Sequence, residues 1–251
     1  MKISPTILLA TLALLSCTPR DDADVAQLMA QAEEARRAHD DVRAAQNFHA
    51  AAQAGNAEAQ MRLGALYLEG GPDLPPDYES ARLWSLRAAA QGNGGALLTL
   101  GILYRKGLGV QADKELALDY FRKAEKAGQF KAPRYIGLYY QDQGDDAKAV
   151  ACFRQAALAG DITSQYYLGQ AYEKGKGVAA DFAKARTWYA TAAARGDLIA
   201  SDGMVGLAGL AEKGAGEPRD PVKALRLYRQ AATLGNANAK TALTRLGAPL
   251  E

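Results

Sequence analysis

The chain is poor in the residues on which most enzymes, metal sites and nucleic-acid binders depend. Its 251 residues include two histidines, His39 and His49, both near the start, and two cysteines, Cys17 and Cys152, far apart. No Ser-His-Asp or Cys-His assembly, disulfide framework or thiolate metal site can be drawn from so few groups, and no cofactor or small-molecule substrate is expected. Lysine and arginine number 30 against 28 aspartates and glutamates, a formal net charge of +2. The positive excess that a phosphate backbone demands is missing, so nucleic acid is not the expected partner. Long hydrophobic runs are missing too. The uncharged stretch from Ile3 to Ser16 is about fourteen residues, short of the roughly twenty a transmembrane helix needs. Gly107-Leu108-Gly109 and Gly175-Lys176-Gly177 lack the preceding strand and the Lys-Ser/Thr ending of a nucleotide loop, and they read as turns.

Repetition is what the chain has in quantity. Gly55, Gly92, Gly128, Gly160, Gly196 and Gly235 each close an alanine-rich segment, at intervals of 37, 36, 32, 36 and 39 residues. Fifteen positions before each stands an aspartate: Asp40, Asp77, Asp113, Asp145, Asp181 and Asp220. The residues between follow a helical stripe in which small and large side chains alternate, as in Ala44, Phe48, Ala51 and in Ala185, Trp188, Tyr189, Ala192. Each aspartate is expected to be an N-cap, with Asp220-Pro221 placing proline at the first helical position, and each glycine a left-handed stop. Cys152 falls where other units put Trp84, Tyr120 and Trp188, so it is expected to be a buried small hydrophobe. His49, beside Phe48, is expected to face solvent.

Between a closing glycine and the next aspartate lies another helix. Leu63-Gly64 with Tyr67, Leu100-Gly101 with Tyr104, Ile136-Gly137 with Tyr140, and Leu168-Gly169 with Tyr172 share one spacing; in the last copy Leu207-Ala208 with Ala211 fits after about three extra residues. A glycine inside a helix costs roughly 1 kcal/mol relative to alanine, so its recurrence predicts close approach of a neighbouring backbone. The loops Gly107-Leu108-Gly109-Val110 and Gly175-Lys176-Gly177-Val178, with Lys184-Ala185, Trp188-Tyr189 and Ala192-Ala193, resemble the Sel-one-like repeat family, relatives of tetratricopeptide repeats. That resemblance implies an all-α, right-handed alpha-alpha superhelical solenoid. The expected organisation is an opening helix pair over 24–55, five repeats over 56–92, 93–128, 129–160, 161–196 and 197–235, and a capping helix and tail over 236–251. Polar end caps are expected, with Glu33, Glu34, Arg36 and Arg37 filling that role at the start.

The first residues are read separately. Lys2, an apolar run from Ile7 to Leu15 and a small residue at Ser16 have the form of a secretory signal over 1–16. Leu14-Leu15-Ser16-Cys17 resembles the lipobox of bacterial lipoproteins, which implies cleavage before Cys17, acylation of its thiol and a polar tether over 17–23. Thr18 after the cysteine implies the outer membrane, with the mature chain in the periplasm. An ordinary cleaved signal followed by an unrelated cysteine is the other reading.

By family resemblance, the first helix of each unit lines a concave groove at positions three before, one after and four after its glycine. These positions are Met61, Ala65 and Leu68; Leu98, Ile102 and Arg105; Arg134, Leu138 and Gln141; and Tyr166, Gln170 and Glu173. Tyr135, Tyr139, Tyr166 and Tyr167 are surplus to the motif and suit an interface, tyrosine and arginine being frequent hot spots; alternatively their rings fill gaps between the third and fourth units. Alanine at Arg134 and Tyr166 is then expected to weaken partner binding without moving the melting temperature. The function expected is a non-enzymatic protein-binding scaffold on the periplasmic side of a bacterial membrane. The alternative is an immunity protein that neutralises a secreted toxin such as a lipase or cell-wall hydrolase.

Overall fold

The computed structural model describes residues 22–249, so Cys17, the signal segment and most of the tether lie outside the described residues. Thirteen helices follow in order: α1 (Asp22–Arg37), α2 (Asp41–Gln53), α3 (Ala57–Glu69), α4 (Tyr78–Ala90), α5 (Gly94–Lys106), α6 (Lys114–Lys126), α7 (Ala132–Asp142), α8 (Asp146–Leu158), α9 (Ile162–Lys174), α10 (Phe182–Ala193), α11 (Ser201–Lys213), α12 (Pro221–Thr233) and α13 (Ala237–Arg245). Each packs chiefly on its neighbours in sequence, which makes the chain a solenoid of helix pairs.

The six aspartates do what their position predicts. The carboxylates of Asp40, Asp77, Asp113, Asp145, Asp181 and Asp220 each accept the backbone N–H three residues on, at 2.8–3.1 Å. The closing glycines have φ between 74° and 98°. That left-handed turn lets the next amide return to the helix, as Asn56 N–H does to Ala51 O and Asn93 N–H to Ala88 O. A second set of caps follows immediately. Asn56, Asn93, Asp161 and Asn236 stand directly after their glycines and cap α3, α5, α9 and α13 through their side chains. One Gly-Asn or Gly-Asp pair thus stops one helix and starts the next.

Within a pair, the N–H of the capping aspartate donates back to the first helix: Asp77 to Tyr67 O, Asp113 to Tyr104 O, Asp145 to Tyr140 O, Asp181 to Tyr172 O and Asp220 to Ala211 O, all at 2.9 Å. Ala211 therefore does take the motif's tyrosine position in the irregular fifth unit. The second helices bury the small-large-small stripe, with Phe48, Trp84, Phe121, Phe153, Tyr189 and Tyr228 each held between two buried alanines. The recurrent glycines of the first helices meet chiefly side chains rather than a neighbouring backbone. A Cβ at Gly101, Gly137 or Gly169 would run into the ring of Phe121, Phe153 or Tyr189, and one at Gly64 into the hydroxyl of Ser85. The aromatic of the second helix needs the space.

Long loops join the two helices of a unit where a second glycine is present. Gly177 lies so close to the Asp146 carbonyl in the first turn of α8 that no side chain fits, which ties the loop of one unit to the unit before it. Among the other expectations, Cys152 is half-buried rather than buried, as Tyr120 and Trp188 are at the same position of other units, and burial still pushes its thiol pKa up. His49 is half-buried and packs edge-on against Trp84 at 5.3 Å. Glu33 and Arg36 do not form an outward polar cap: they turn toward α3, where Glu33 pairs with Arg62 at 3.1 Å and Arg36 with Glu69 at 3.6 Å. Glu34 and Arg37 are the exposed members of that group.

Candidate functional site

The first helices form the inner layer. α3 touches α5 and α9 touches α11, while no comparable contact joins successive second helices, so the solenoid curves toward its first helices. On that side a cavity of about 320 Å³ opens over the fourth and fifth units, lined by residues of α9, α10, α11, α12 and α13. Its polar floor is built twice from the same parts. Glu173, in the last turn of α9, accepts from the Tyr189 hydroxyl at 2.7 Å and from Lys213 Nζ at 2.9 Å. One unit later Glu212 accepts from the Tyr228 hydroxyl at 2.9 Å and from Arg245 Nη2 at 2.7 Å. Each first helix is thereby tied to its own second helix and to the next first helix.

The electrostatics follow from this pairing. Burial alone would raise the Glu173 carboxyl, but hydrogen bonds from Lys213 and Tyr189 and the lysine's charge outweigh it and hold the pKa below the ordinary value. Glu212 is lowered likewise: desolvation opposes, and Arg245 and Tyr228 prevail. Burial, with the carboxylates of Asp202 and Glu173, pushes Tyr166 up to about 12, and burial with the Glu212 hydrogen bond does the same for Tyr228. Tyr189 is raised too, by burial and then by Glu173. All three phenols stay protonated at neutral pH; Tyr189 and Tyr228 donate to the two glutamates, and the Tyr166 hydroxyl accepts from Gln170 Nε2 at 2.8 Å. The two glutamates are engaged as acceptors, which suits recognition better than proton transfer.

A pH dependence follows. Because both glutamate pKa values are depressed in the folded chain, the stability they confer is present above the ordinary glutamate value of about 4.3 and is lost as pH falls through the folded values. The melting temperature is expected to drop as pH falls below about 4.3, and to drop less when Glu173→Gln and Glu212→Gln are combined. Parallel profiles for the two proteins would disprove this coupling.

The cavity brings together Tyr166, Gln170 and Glu173 of the expected groove residues and adds Val205, Gly206, Gly209, Glu212, Lys213, Tyr228 and Arg245. Gln141 lines an opening beside α8 together with Tyr167 and Gln170, the last of which it shares with the concave cavity. Met61 lines a separate opening near Phe48 and Glu69, and Arg134 one at the edge of the solenoid. Leu98 is buried and Arg105 half-buried. Tyr135 stacks on Phe121 at 4.9 Å, Tyr167 packs on Phe153 at 5.1 Å, Tyr166 lies 5.7 Å from Tyr189, and Tyr139 meets Tyr140 edge-on at 5.8 Å. Tyr135 and Tyr167 therefore fill gaps between units. Arg134 is held inside the chain by Asp161, at 2.9 Å.

Glu212 and Arg245 escaped the sequence reading although a signal existed. Glutamate stands sixteen residues before tyrosine in units four and five, where unit two has Arg105 before Phe121 and unit one Leu68 before Trp84. Only the phenol can donate to the carboxylate.

Fold and groove define a solenoid of paired helices with a concave inner face. The Sel1 repeat model matches residues 35–56, 57–93, 96–129, 135–161, 162–197 and 201–236, more than half of the chain. The chain belongs to the Sel1 repeat family, and its repeats are a protein-interaction scaffold. The crystal structure of a Sel1 repeat protein from Oxalobacter formigenes is 28% identical, with TM-score 0.72 over 84% of this chain and 87% of that one. An immunity protein from Pseudomonas aeruginosa, 23% identical, shares the fold with TM-score 0.55 over 75% of this chain and 70% of that one. Activator of C kinase protein 1 of Saccharomyces cerevisiae is 36% identical over 87 residues, which are 33% of this chain and 14% of that protein. The chain therefore matches a small part of that curated relative's length.

Proposed function

We propose that this chain is a non-catalytic scaffold that seats a segment of a partner protein in the concave cavity between α9, α11 and α13. Gly209 carries the reading. A glycine in a helix interior costs roughly 1 kcal/mol relative to alanine, and at Gly169 and Gly206 the ring of Tyr189 accounts for it. At Gly209 nothing within the chain does, because the nearest atom to a Cβ there would be the Tyr228 hydroxyl at 3.8 Å. The open floor at Gly209 suits the close approach of another chain, with Lys213, Arg245 and the tyrosine hydroxyls at hand to hydrogen-bond it. Gly209→Leu fills the cavity without touching the core. The variant is expected to keep its helical signal and lose the protein that co-purifies with the wild type from envelope extracts; retained co-purification would refute the site.

The location proposed is the periplasmic face of a bacterial membrane, by acylation of Cys17, with the outer membrane favoured by Thr18. Cys17→Ser is expected to move the protein from the membrane fraction to the soluble one and to abolish incorporation of labelled fatty acid. Unchanged fractionation would refute the anchor. If the captured partner is a secreted toxin, the chain acts as an immunity protein, and cells exporting it survive the toxin where cells expressing Gly209→Leu do not.

A further inference from the structure

Two departures from the repeat take no part in the concave cavity. A regular turn between units has a closing glycine and one capping residue, so the next helix starts two positions after the glycine, as α9 does after Gly160. After Gly128 and Gly196 the turn is longer, and α7 and α11 start at Ala132 and Ser201. Three residues of these longer turns are large and apolar, and they point outward. Phe130 is 45% exposed, and Leu198 and Ile199 are 57% and 55% exposed. These longer turns precede units three and five, so they flank the regular turn at Gly160-Asp161-Ile162. A second cavity of about 360 Å³ lies there, lined by Phe130 from one long turn, Ile199 from the other and Ile162 between them. It shares no lining residue with the concave cavity.

The charge of this edge cavity has one sign in excess. Lys131, Arg134 and Arg195 line it against a single carboxylate, Asp161. Asp161 is already committed: it is 4% exposed, caps α9 through Ser164 and accepts from Arg134. Arg195 has Asp197 beside it at the rim, while Lys131 has its ammonium over the Phe130 ring at 5.6 Å and no carboxylate partner among the described residues. Apolar walls with a cationic rim are complementary to an apolar side chain flanked by acids.

We propose that this edge cavity is a second docking site, and that it takes a segment of a partner protein bearing a large apolar side chain between aspartates or glutamates. The insertions supply the walls, and the unpaired Lys131, with Arg195 beside it, supplies the selectivity. The test immobilises the full chain and selects from a displayed library of random peptides, with the Phe130→Asp/Ile199→Asp double variant as counter-screen. Enriched sequences are expected to pair leucine, isoleucine or phenylalanine with adjacent acids. They are expected to bind the double variant and Lys131→Glu/Arg195→Glu at least roughly tenfold more weakly, and Gly209→Leu as well as wild type. The four edge-cavity positions are exposed, and circular dichroism checks that the helices persist in every variant. A library that yields no enrichment, yields basic or uncharged peptides, or yields peptides that bind the double variants equally overturns the proposal.

Discussion

Replacing Gly169 by alanine is expected to destabilise the chain by about 2–3 kcal/mol, the upper part of the usual range for overpacking a core. The new Cβ would lie 2.5 Å from Cδ1 and 2.6 Å from Cε1 of Tyr189. Ordinarily a ring swings away from such a contact. Here Gly206 of α11 presses on the same ring, where a Cβ would lie 2.6 Å from Cδ1, and the hydroxyl is tied to Glu173. The strain therefore passes to the spacing of α9 and α11, the two helices that frame the concave cavity. Gly209→Ala is the matched control, because its Cβ meets open space and removing a helix glycine should add about 1 kcal/mol. Urea unfolding followed by circular dichroism measures both. Gly169→Ala within about 0.5 kcal/mol of wild type would show that the ring is not clamped.

Arg134→Ala is expected to cost about 3 kcal/mol, against the sequence-based expectation that the melting temperature would not move. The side chain of Arg134 is 15% exposed and reaches Asp161 at 2.9 Å. Removing the guanidinium leaves a buried carboxylate with the amide and hydroxyl of Ser164 as its remaining donors, and an uncompensated buried charge is more damaging than the loss of the pair as a whole. The double variant Arg134→Ala/Asp161→Asn should therefore be more stable than Arg134→Ala alone. Asparagine keeps the cap, as Asn56, Asn93 and Asn236 show in other units, and carries no charge to strand. A thermal melt of Arg134→Ala that overlays the wild type, or a double variant less stable than the single, would remove Arg134 from the interior of the solenoid. Any loss of partner binding in Arg134→Ala must be read against this instability.

Much of the architecture was legible in the residues because its determinants are local. An aspartate cap bonds three residues on, a closing glycine redirects the chain within one turn, and the small-large-small stripe repeats every helical turn or two. Residue type at a fixed offset reports each of these directly, even in the irregular fifth unit, where Ala208 and Ala211 hold the positions taken elsewhere by glycine and tyrosine. The Asn56, Asn93, Asp161 and Asn236 caps are equally local, each standing one residue after a closing glycine, but they lie outside the fifteen-residue aspartate-to-glycine spacing. The candidate site was partly legible. Tyr166, Gln170 and Glu173 do line the concave cavity, but Arg134, Tyr135 and Tyr167 serve the packing between units.

The sequence alone determined that the chain is a stack of helix pairs, where each second helix starts and stops, and which face of it is buried. Tertiary structure decided which variable side chains remain free to bind. Glu173 and Lys213 are forty residues apart, and Glu212 and Arg245 thirty-three, so each meets its partner only because stacking brings the ends of successive first helices together. The same stacking brings the long turns after Gly128 and Gly196 to either side of one cavity. Whether a charged or aromatic residue is a contact surface or an internal tie depends on what the neighbouring unit presents to it, and that is a property of the superhelix rather than of any one repeat.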